Sequence, residues 1–317
     1  MSDLRIGISG WRYVPWRGTF YPKDLPQKRE LEFASRQLNS IEINGSFYSL
    51  QRPSSWRQWY EETPDEFVFT VKGGRFITHL KRLKDIEIPL ANFFAQGLLG
   101  LNEKLGSILW QFPPNFHFDT ERFETFFKLL PRDRKAAAKL AGKHGPQMNG
   151  KTEFTVSKNR PLRHAVEIRH ESFNSPEFVA LMRKYEIALV VADTAGKWPF
   201  MEEITADFVY ARLHGDEELY VSGYTPAALD QWADRVKKWR KKKLDVYVYF
   251  DNDAKVRAPF DAIGLSQRLG GFVPEKIPDE PPEGIGEEAR SSWPVIRGGA
   301  TKNSAHRHKS TKTQKQK

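Results

Sequence analysis

Short apolar runs along this chain end in side chains that can hold charge or move a proton. Glu42 and Asn44 lie in SIEIN, Lys72 closes FVFTVK and Gln111 closes GSILWQ. Glu167 and Arg169 lie in HAVEIR, Asp193 closes IALVVAD, Arg212 and His214 lie in DFVYARLH, and Asp251, Asn252 and Asp253 follow VYVYF. Lys72, Arg169 and Arg212 suit a phosphate or carboxylate, arginine through a bidentate fork and lysine as a point charge. His214 suits general acid or base work near neutral pH, with Glu42, Glu167 or Asp193 as orienting or proton-transferring carboxylates. The alternative for any one of them is interior ion pairing, Glu42, Glu167 and Asp193 neutralising Lys72, Arg169 and Arg212, since a buried charge is costly unless it is paired. The three carboxylates and the histidine could also ligate a hard cation. No compact His-x-x-x-His spacing occurs, however, and the neighbouring cations oppose a metal, so no cofactor is expected and a carboxylate-held divalent cation stays an alternative.

Aromatic residues form a second group. Trp11, Tyr13, Trp16, Phe20 and Tyr21 follow the first apolar run, Phe47 and Tyr48 the second, and Tyr220 and Tyr224 the seventh. Rings so placed either stack on sugars or bases or form an apolar lid over the rim. Glu42 and Glu167 as an acid and base pair, with Trp11 and Trp16 as a sugar platform, would be a glycoside-cleaving arrangement.

The elements that must position these residues are eight β-branched or aromatic runs alternating with helical periodicity, near 5–9, 40–44, 67–72, 106–111, 164–169, 187–193, 207–214 and 245–251. That rhythm over about 270 residues predicts a (β/α)8 TIM barrel, an α/β fold whose active site is built at the C-terminal ends of the strands. In SIEIN, Ile41 and Ile43 share one face and Glu42 and Asn44 the other, and the same alternation points Lys72, Gln111, Glu167, Arg169, Arg212 and His214 inward. Asp119, Ser175-Pro176 and Thr225-Pro226 are helix starts, a capping side chain with, in the last two, a proline at the first helical position. Segment 131–162 is basic and poor in periodicity, and reads as a mobile insertion between the fourth and fifth strands. The barrel domain is expected over 1–270. Residues 271–317, first proline-rich and acidic, then polar and basic, are expected to be a disordered tail.

Composition bounds the function. The 317 residues, 39 % hydrophobic and 13 % aromatic, suffice for a large core, and zero cysteines exclude disulfides, thiolate nucleophiles and cysteine metal sites. No apolar run is long enough to span a bilayer and no secretory leader opens the chain, so a cytoplasmic protein without a membrane partner is expected. The net charge of +10 is peripheral: 291–317 carries seven basic residues and no acid, 132–163 nine basic against two acidic, and 235–243 seven basic and none acidic. Such patches suit a polyanion, and 235–243 is read first as a solvated helix end whose cations favour the C-terminal dipole.

The phrases GISGWRYVPWRGTFYPKDL (7–25), IEINGSFYSL (41–50), FVFTVKGGRFITH (67–79), LGSILWQFPPNF (105–116), AVEIRHESF (165–173), VVADT (190–194), FVYARLHG (208–215) and YVYFDNDAKVRAP (247–259) resemble, in order and spacing, the YecE-like family, domain of unknown function 72. The resemblance implies a TIM barrel and no established activity. Likeness of that barrel to endonuclease-type and sugar-isomerase-type barrels implies nucleic acid or sugar phosphates as ligands. The family pattern falls on Trp11, Glu42, Asn44, Phe47, Tyr48, Lys72, His79, Gln111, Pro113, Pro114, Glu167, Arg169, Asp193, Arg212, His214, Gly215, Tyr224, Asn252 and Asp253. Two departures stand out: Asp251 replaces the family's usual asparagine, and the glycine expected soon after Asp253 is missing from AKVRAP, which implies a stiffer eighth loop. Only His79, His170 and His214 fall near the mouth, too few for a many-histidine zinc cluster.

The leading expectation is an enzyme with one site at the barrel mouth for an anionic, phosphate-bearing ligand. Its catalytic candidates are Glu42, Glu167, Asp193 and His214. Its binding candidates are Trp11, Asn44, Tyr48, Lys72, His79, Gln111, Arg169, Arg212, Tyr224, Asn252 and Asp253. A non-catalytic nucleic-acid-binding barrel is the alternative, and glycoside hydrolysis a minor one.

Overall fold

Valine, isoleucine, tyrosine and phenylalanine fill the segments that become strands, as suits a pleated, buried surface. In the computed structural model, which describes residues 2–271, these are β1 (Leu4–Ser9), β2 (Ser40–Ile43), β3 (Val68–Lys72), β4 (Leu105–Gln111), β5 (Arg163–Glu167), β6 (Ala188–Leu189), β7 (Val191–Asp193), β8 (Phe208–Leu213) and β9 (Asp245–Phe250). All pair in parallel, in the order β6-β5-β4-β3-β2-β1-β9-β8-β7. β6 and β7 are one pass of the chain broken at Val190. Its first half pairs with β5 (Ala165↔Ala188, Val166↔Leu189), its second with β8 (Val191↔Ala211 to Asp193↔Leu213), and Val190 N–H donates to Val166 O at 2.9 Å across the break. The expected sixth strand is therefore split, and eight passes close the expected α/β barrel.

Helices sheath the outside. α1 (Glu30–Gln37), α2 (Gly45–Tyr48), α3 (Pro53–Glu62) and α4 (Glu87–Ala95) precede β4; α5 (Thr120–Leu129) and α6 (Arg134–Ala141) lie between β4 and β5; α7 (Pro176–Lys184), α8 (Pro226–Lys241) and α9 (Ala258–Arg268) follow. The expected starts hold: Asp119 accepts from Arg122 N at 2.9 Å, Ser175 from Phe178 N at 3.2 Å and Thr225 from Ala228 N at 3.2 Å, the last two ahead of Pro176 and Pro226. No helix among the described residues is long and apolar enough to cross a membrane.

Segment 131–162 differs from the mobile insertion its composition predicts. Asp133 caps α6 through Ala136 N at 2.8 Å, α6 packs on α4 with Ala137 and Ala141 buried, and Asn92 of α4 receives Gly145 N–H at 2.8 Å. Its buried face is Arg134, Ala137 and Ala141, spaced three and four residues apart as a helix face requires, so the basic composition of the segment hid a helical pattern that was present. Beyond Gly271 the expected tail lies outside the described residues.

The barrel interior changes character along its axis. Val68, Leu109, Ala165, Ala188, Val190, Ala192 and Phe208 pack with Tyr210, Tyr247 and Tyr249. Hydroxyl pairs then appear, Ser40 with Tyr249 at 2.6 Å and Thr70 with Tyr210 at 3.0 Å. Above them, at the C-terminal strand ends, the interior is ionic.

Candidate functional site at the barrel mouth

Arg212, from β8, stands at the centre of the ionic tier and is fully buried. Its fork meets both oxygens of Glu42 on β2, with Nε 3.1 Å from Oε2 and Nη2 2.9 Å from Oε1. Nη1 donates to Glu167 Oε2 of β5 at 2.6 Å, and Nη2 also reaches Asp251 Oδ2 and Ser9 Oγ at 2.9 and 2.8 Å. Glu42 further accepts from the hydroxyls of Ser9 and Tyr210. His214, two residues on and therefore on the same face, places Nδ1 3.0 Å from Asp251 Oδ2 and Nε2 3.8 Å from Glu167 Oε1. Burial and Arg212 both push the His214 ring below its ordinary pKa, so it is neutral at pH 7. Burial works against the charged form of Glu167, yet Arg169 and Arg212 together hold its carboxyl well below the usual range. Burial also opposes ionised Asp251, and Arg212 and His214 outweigh it in the same way.

A second group stands beside this centre. Lys72, the last residue of β3, is 8 % exposed, and its ammonium lies 4.5 Å from the centroid of the Phe47 ring. Its carbonyl accepts from Ser46 Oγ at 2.7 Å, but the ammonium has no hydrogen bond and no ion pair within 4 Å among the described residues. Burial first, then repulsion from Arg212, bring it down to about 8, against the pull of Glu42, Asp251 and Glu167. Gly73 follows directly, and a β-carbon there would sit 2.2 Å from the Trp110 ring, so the chain can leave β3 by this route only as glycine. The turn Phe76–Leu80 brings His79 edge-on to Phe47 at 5.1 Å, with Nδ1 2.9 Å from Thr78 Oγ1. Burial, then Lys72, Arg169 and Arg75, depress His79 to about 4. Arg169 gives Nε to Glu167 Oε1 at 2.8 Å and lays its guanidinium 3.9 Å from the centroid of Trp198, leaving both terminal amino groups without a protein acceptor among the described residues. Gln111, aligned with Glu167 across β4 and β5, likewise has no side-chain hydrogen bond among them.

Not every candidate joins this tier. Asp193 points to the helix layer: its Oδ2 accepts from Tyr224 OH at 3.1 Å and Trp232 Nε1 of α8 at 3.2 Å, while Ala192 faces the interior. Tyr224, fully buried against Phe250, belongs to that outer cluster. Asn252 is tied to Asp261 Oδ2 at 2.8 Å and to Ser222 O at 3.0 Å. Asp253 is half-buried near Asp251, and desolvation with that neighbouring charge raises its carboxyl well above the usual range. Asn44 donates to Ser9 Oγ at 3.0 Å and, with Trp11, Tyr48, Tyr13 and Trp59, lines an adjoining cleft of about 330 Å³. Sequence reasoning did not single out Ser9, Tyr210 or Trp198. Alternation along DFVYARLH does put Tyr210 on the Arg212 face; a strand-terminal serine and a loop tryptophan gave no such signal. Asp251, noted as a strand-end acid and as a departure from the family pattern but not among the site candidates, proves to be a third carboxylate on Arg212.

The arrangement bears on two chemistries. Glu42 and Glu167 are each locked to arginine, and Glu167 is held far below the raised pKa a glycoside acid requires, which removes that reading. Among the described residues no three His, Asp or Glu side chains are arranged to hold a metal ion, because Arg212 occupies the space between the carboxylates.

A family model described as "Protein of unknown function DUF72" matches residues 5–283. UPF0759 protein YunF of Bacillus subtilis is 29 % identical over 118 residues, 36 % of this chain and 41 % of that protein. UPF0759 protein YecE of Escherichia coli K12 is 26 % identical over 113 residues, 36 % and 39 % respectively. The chain thus matches about two fifths of the length of these curated relatives. Among solved structures, a DUF72 family protein from Thermotoga maritima superposes with a TM-score of 0.67 at 25 % identity, covering 84 % of this chain and 99 % of that one. A DUF72 family protein from Enterococcus faecalis gives 0.64 at 17 % identity over 86 % and 99 %, a likeness of fold alone. Since the family model spans most of the chain and every residue of the Arg212 centre, the protein belongs to the DUF72 family, described only as proteins of unknown function.

Proposed function

We propose that the barrel mouth is the active site of an enzyme acting on a small phosphate-bearing substrate, held at the edge formed by Lys72, His79, Gln111 and Arg169. The observation that carries this reading is a set of unpaired donors at the mouth: the Lys72 ammonium, both terminal amino groups of Arg169 and the Gln111 amide have no protein acceptor among the described residues. Lys72, Arg169 and Arg75 each disfavour a further positive charge there more than Glu167 favours one, so an anion beside His79 is attracted. The donors that would meet it are uncommitted, and Arg169 keeps a two-pronged amino edge suited to phosphate or carboxylate oxygens. Arg212 is not part of the binding edge. It is saturated by carboxylates and serves to fix Glu42, Glu167 and Asp251 in place. Neutral His214, between Asp251 and Glu167, is then the proton-transfer candidate, and His79 gains a proton when an anion binds beside it.

The test is a thermal-shift screen of the full chain against inorganic phosphate, pyrophosphate, nucleotides, sugar phosphates and short oligonucleotides. A ligand at 100 times its Kd stabilises by about 2.7 kcal/mol. At least one phosphate-bearing compound should raise Tm, and Arg169→Met with His79→Ala should abolish the shift. If none does, the anion site fails. A shift confined to oligonucleotides, steeply weakened by salt and unaffected by those replacements, favours a nucleic-acid-binding barrel instead.

A further inference from the structure

We propose that Lys72 is a reactive amine, which condenses with the carbonyl group of a small anionic aldehyde or ketone to form an imine. For its choice of substrate this rests on the anion edge proposed above; the amine chemistry does not. A lysine placed inside a barrel for charge alone is expected beside a carboxylate, and three are available on this tier. Arg212 takes Glu42, Glu167 and Asp251 within 3.1 Å, while Lys72 has none within 4 Å and rests its ammonium on the Phe47 ring. The ring is a weak partner, so withdrawing a proton from this amine breaks no salt bridge and leaves no carboxylate unpaired. Burial and Arg212 bring its pKa to about 8, so a sizeable fraction is the neutral nucleophile at physiological pH, where an exposed lysine offers almost none. The side chain is 8 % exposed at the top of β3 and cannot swing away into solvent as a surface lysine does. His79 touches the same Phe47 ring, so an anion beside His79 would place the rest of its molecule near the amine.

The step balances without oxidant, reductant or metal. The neutral nitrogen bonds to the carbonyl carbon, the C=O π pair moves to oxygen, and one of the two amine protons passes from nitrogen to that oxygen, giving a neutral carbinolamine. The nitrogen then loses its remaining proton, the hydroxyl leaves with a proton as water, and C=N closes. Each imine formed releases one water.

The full chain is treated with glycolaldehyde or glycolaldehyde phosphate, reduced with borohydride and digested with trypsin. Reduction turns the imine into a stable secondary amine that blocks cleavage after Lys72. The expected product is a labelled peptide spanning residues 58–75, which contains no other lysine, with a labelling midpoint near pH 8. Glycolaldehyde phosphate should label at concentrations about tenfold or more below glycolaldehyde, as a charge-assisted contact implies, and inorganic phosphate should protect. Labelling of surface lysines with Lys72 untouched at every pH overturns the proposal. Lys72 labelled equally by both probes, without protection, upholds the amine and overturns the anion edge. Phosphate raising Tm while neither probe labels Lys72 does the reverse. Lys72→Arg should lose the label, since a guanidinium does not form the imine; should that variant fail to fold, the site of label in the unaltered chain decides.

Discussion

Arg212 and Lys72 occupy the same tier of the barrel from opposite sides, one on β8 and the other on β3, and their surroundings are opposite too. Arg212 has no exposure and five hydrogen-bonded side chains, counting His214 at 3.4 Å, among them three carboxylates. Lys72 has a phenyl ring. Burial alone penalises both, yet the carboxylates raise Arg212 well above its ordinary pKa while Lys72 falls to about 8. Two cations buried alike thus differ in what they can do. The first is charge that the fold has consumed, and the second is charge left for a ligand or a reaction.

The sharpest way to break this contrast is Arg212→Met. It leaves Glu42 and Asp251 without a cationic side chain at hydrogen-bond distance and Glu167 with Arg169 alone, and should cost about 3–5 kcal/mol in denaturant unfolding, with Glu42→Gln in the same chain recovering part of the loss. A loss under about 1 kcal/mol would mean that the centre is not a buried charge cluster at all. Lys72→Met should move the other way. The folded-state pKa of about 8 lies below the ordinary lysine value of 10.5, so the folded protein binds fewer protons between those values. The cost of burying the charged amine is complete below pH 8 and disappears as pH rises towards 10.5. Lys72→Met should therefore be more stable at pH 7, by at most about 3 kcal/mol, and the unaltered chain should catch up between pH 8 and 10.5. A difference that stays flat over that interval would place the Lys72 proton elsewhere. The smallest effect is expected at Asp193, outside both groups. Asp193→Ala leaves the donors of Tyr224 and Trp232 unpaired, a loss of about 1–3 kcal/mol, while any phosphate-induced Tm shift stays as it was. A lost shift would return Asp193 to the mouth.

These residues also show what the sequence could reveal. The eight passes, the helix caps and the tier formed by Glu42, Lys72, Glu167, Arg212 and His214 were legible, because strand alternation acts over two or three residues and a barrel has one polar end. Asp193 was misplaced for the same reason that the sixth strand breaks. Every residue of IALVVA is apolar, so the run carries no marker of which face is inward, and only pairing with β5 and then β8 decides it. Nor could alternation tell that Arg212 would collect every nearby carboxylate and Lys72 none. Both read as inward cations, and the difference depends on the reach of a guanidinium fork across the barrel to β2, β5 and the loop after β9. The packed face of α6, Arg134 with Ala137 and Ala141, was hidden by the basic composition around it.

The break at Val190 also makes the barrel wall uneven in how readily it opens. Elsewhere neighbouring strands are zipped over three to six aligned residues, whereas this pass is held in two short pieces, β6 to β5 at two and β7 to β8 at three. A wall yields first where the fewest backbone bonds must part together, so amide protons along 188–193 should exchange with solvent sooner than those of β9 or β1. His214 N–H is bonded to Asp193 O at the upper end of that seam. Transient parting there would loosen the imidazole while Lys72, on the far wall, stays held, so the two sides of the mouth need not be ordered to the same degree at the same moment.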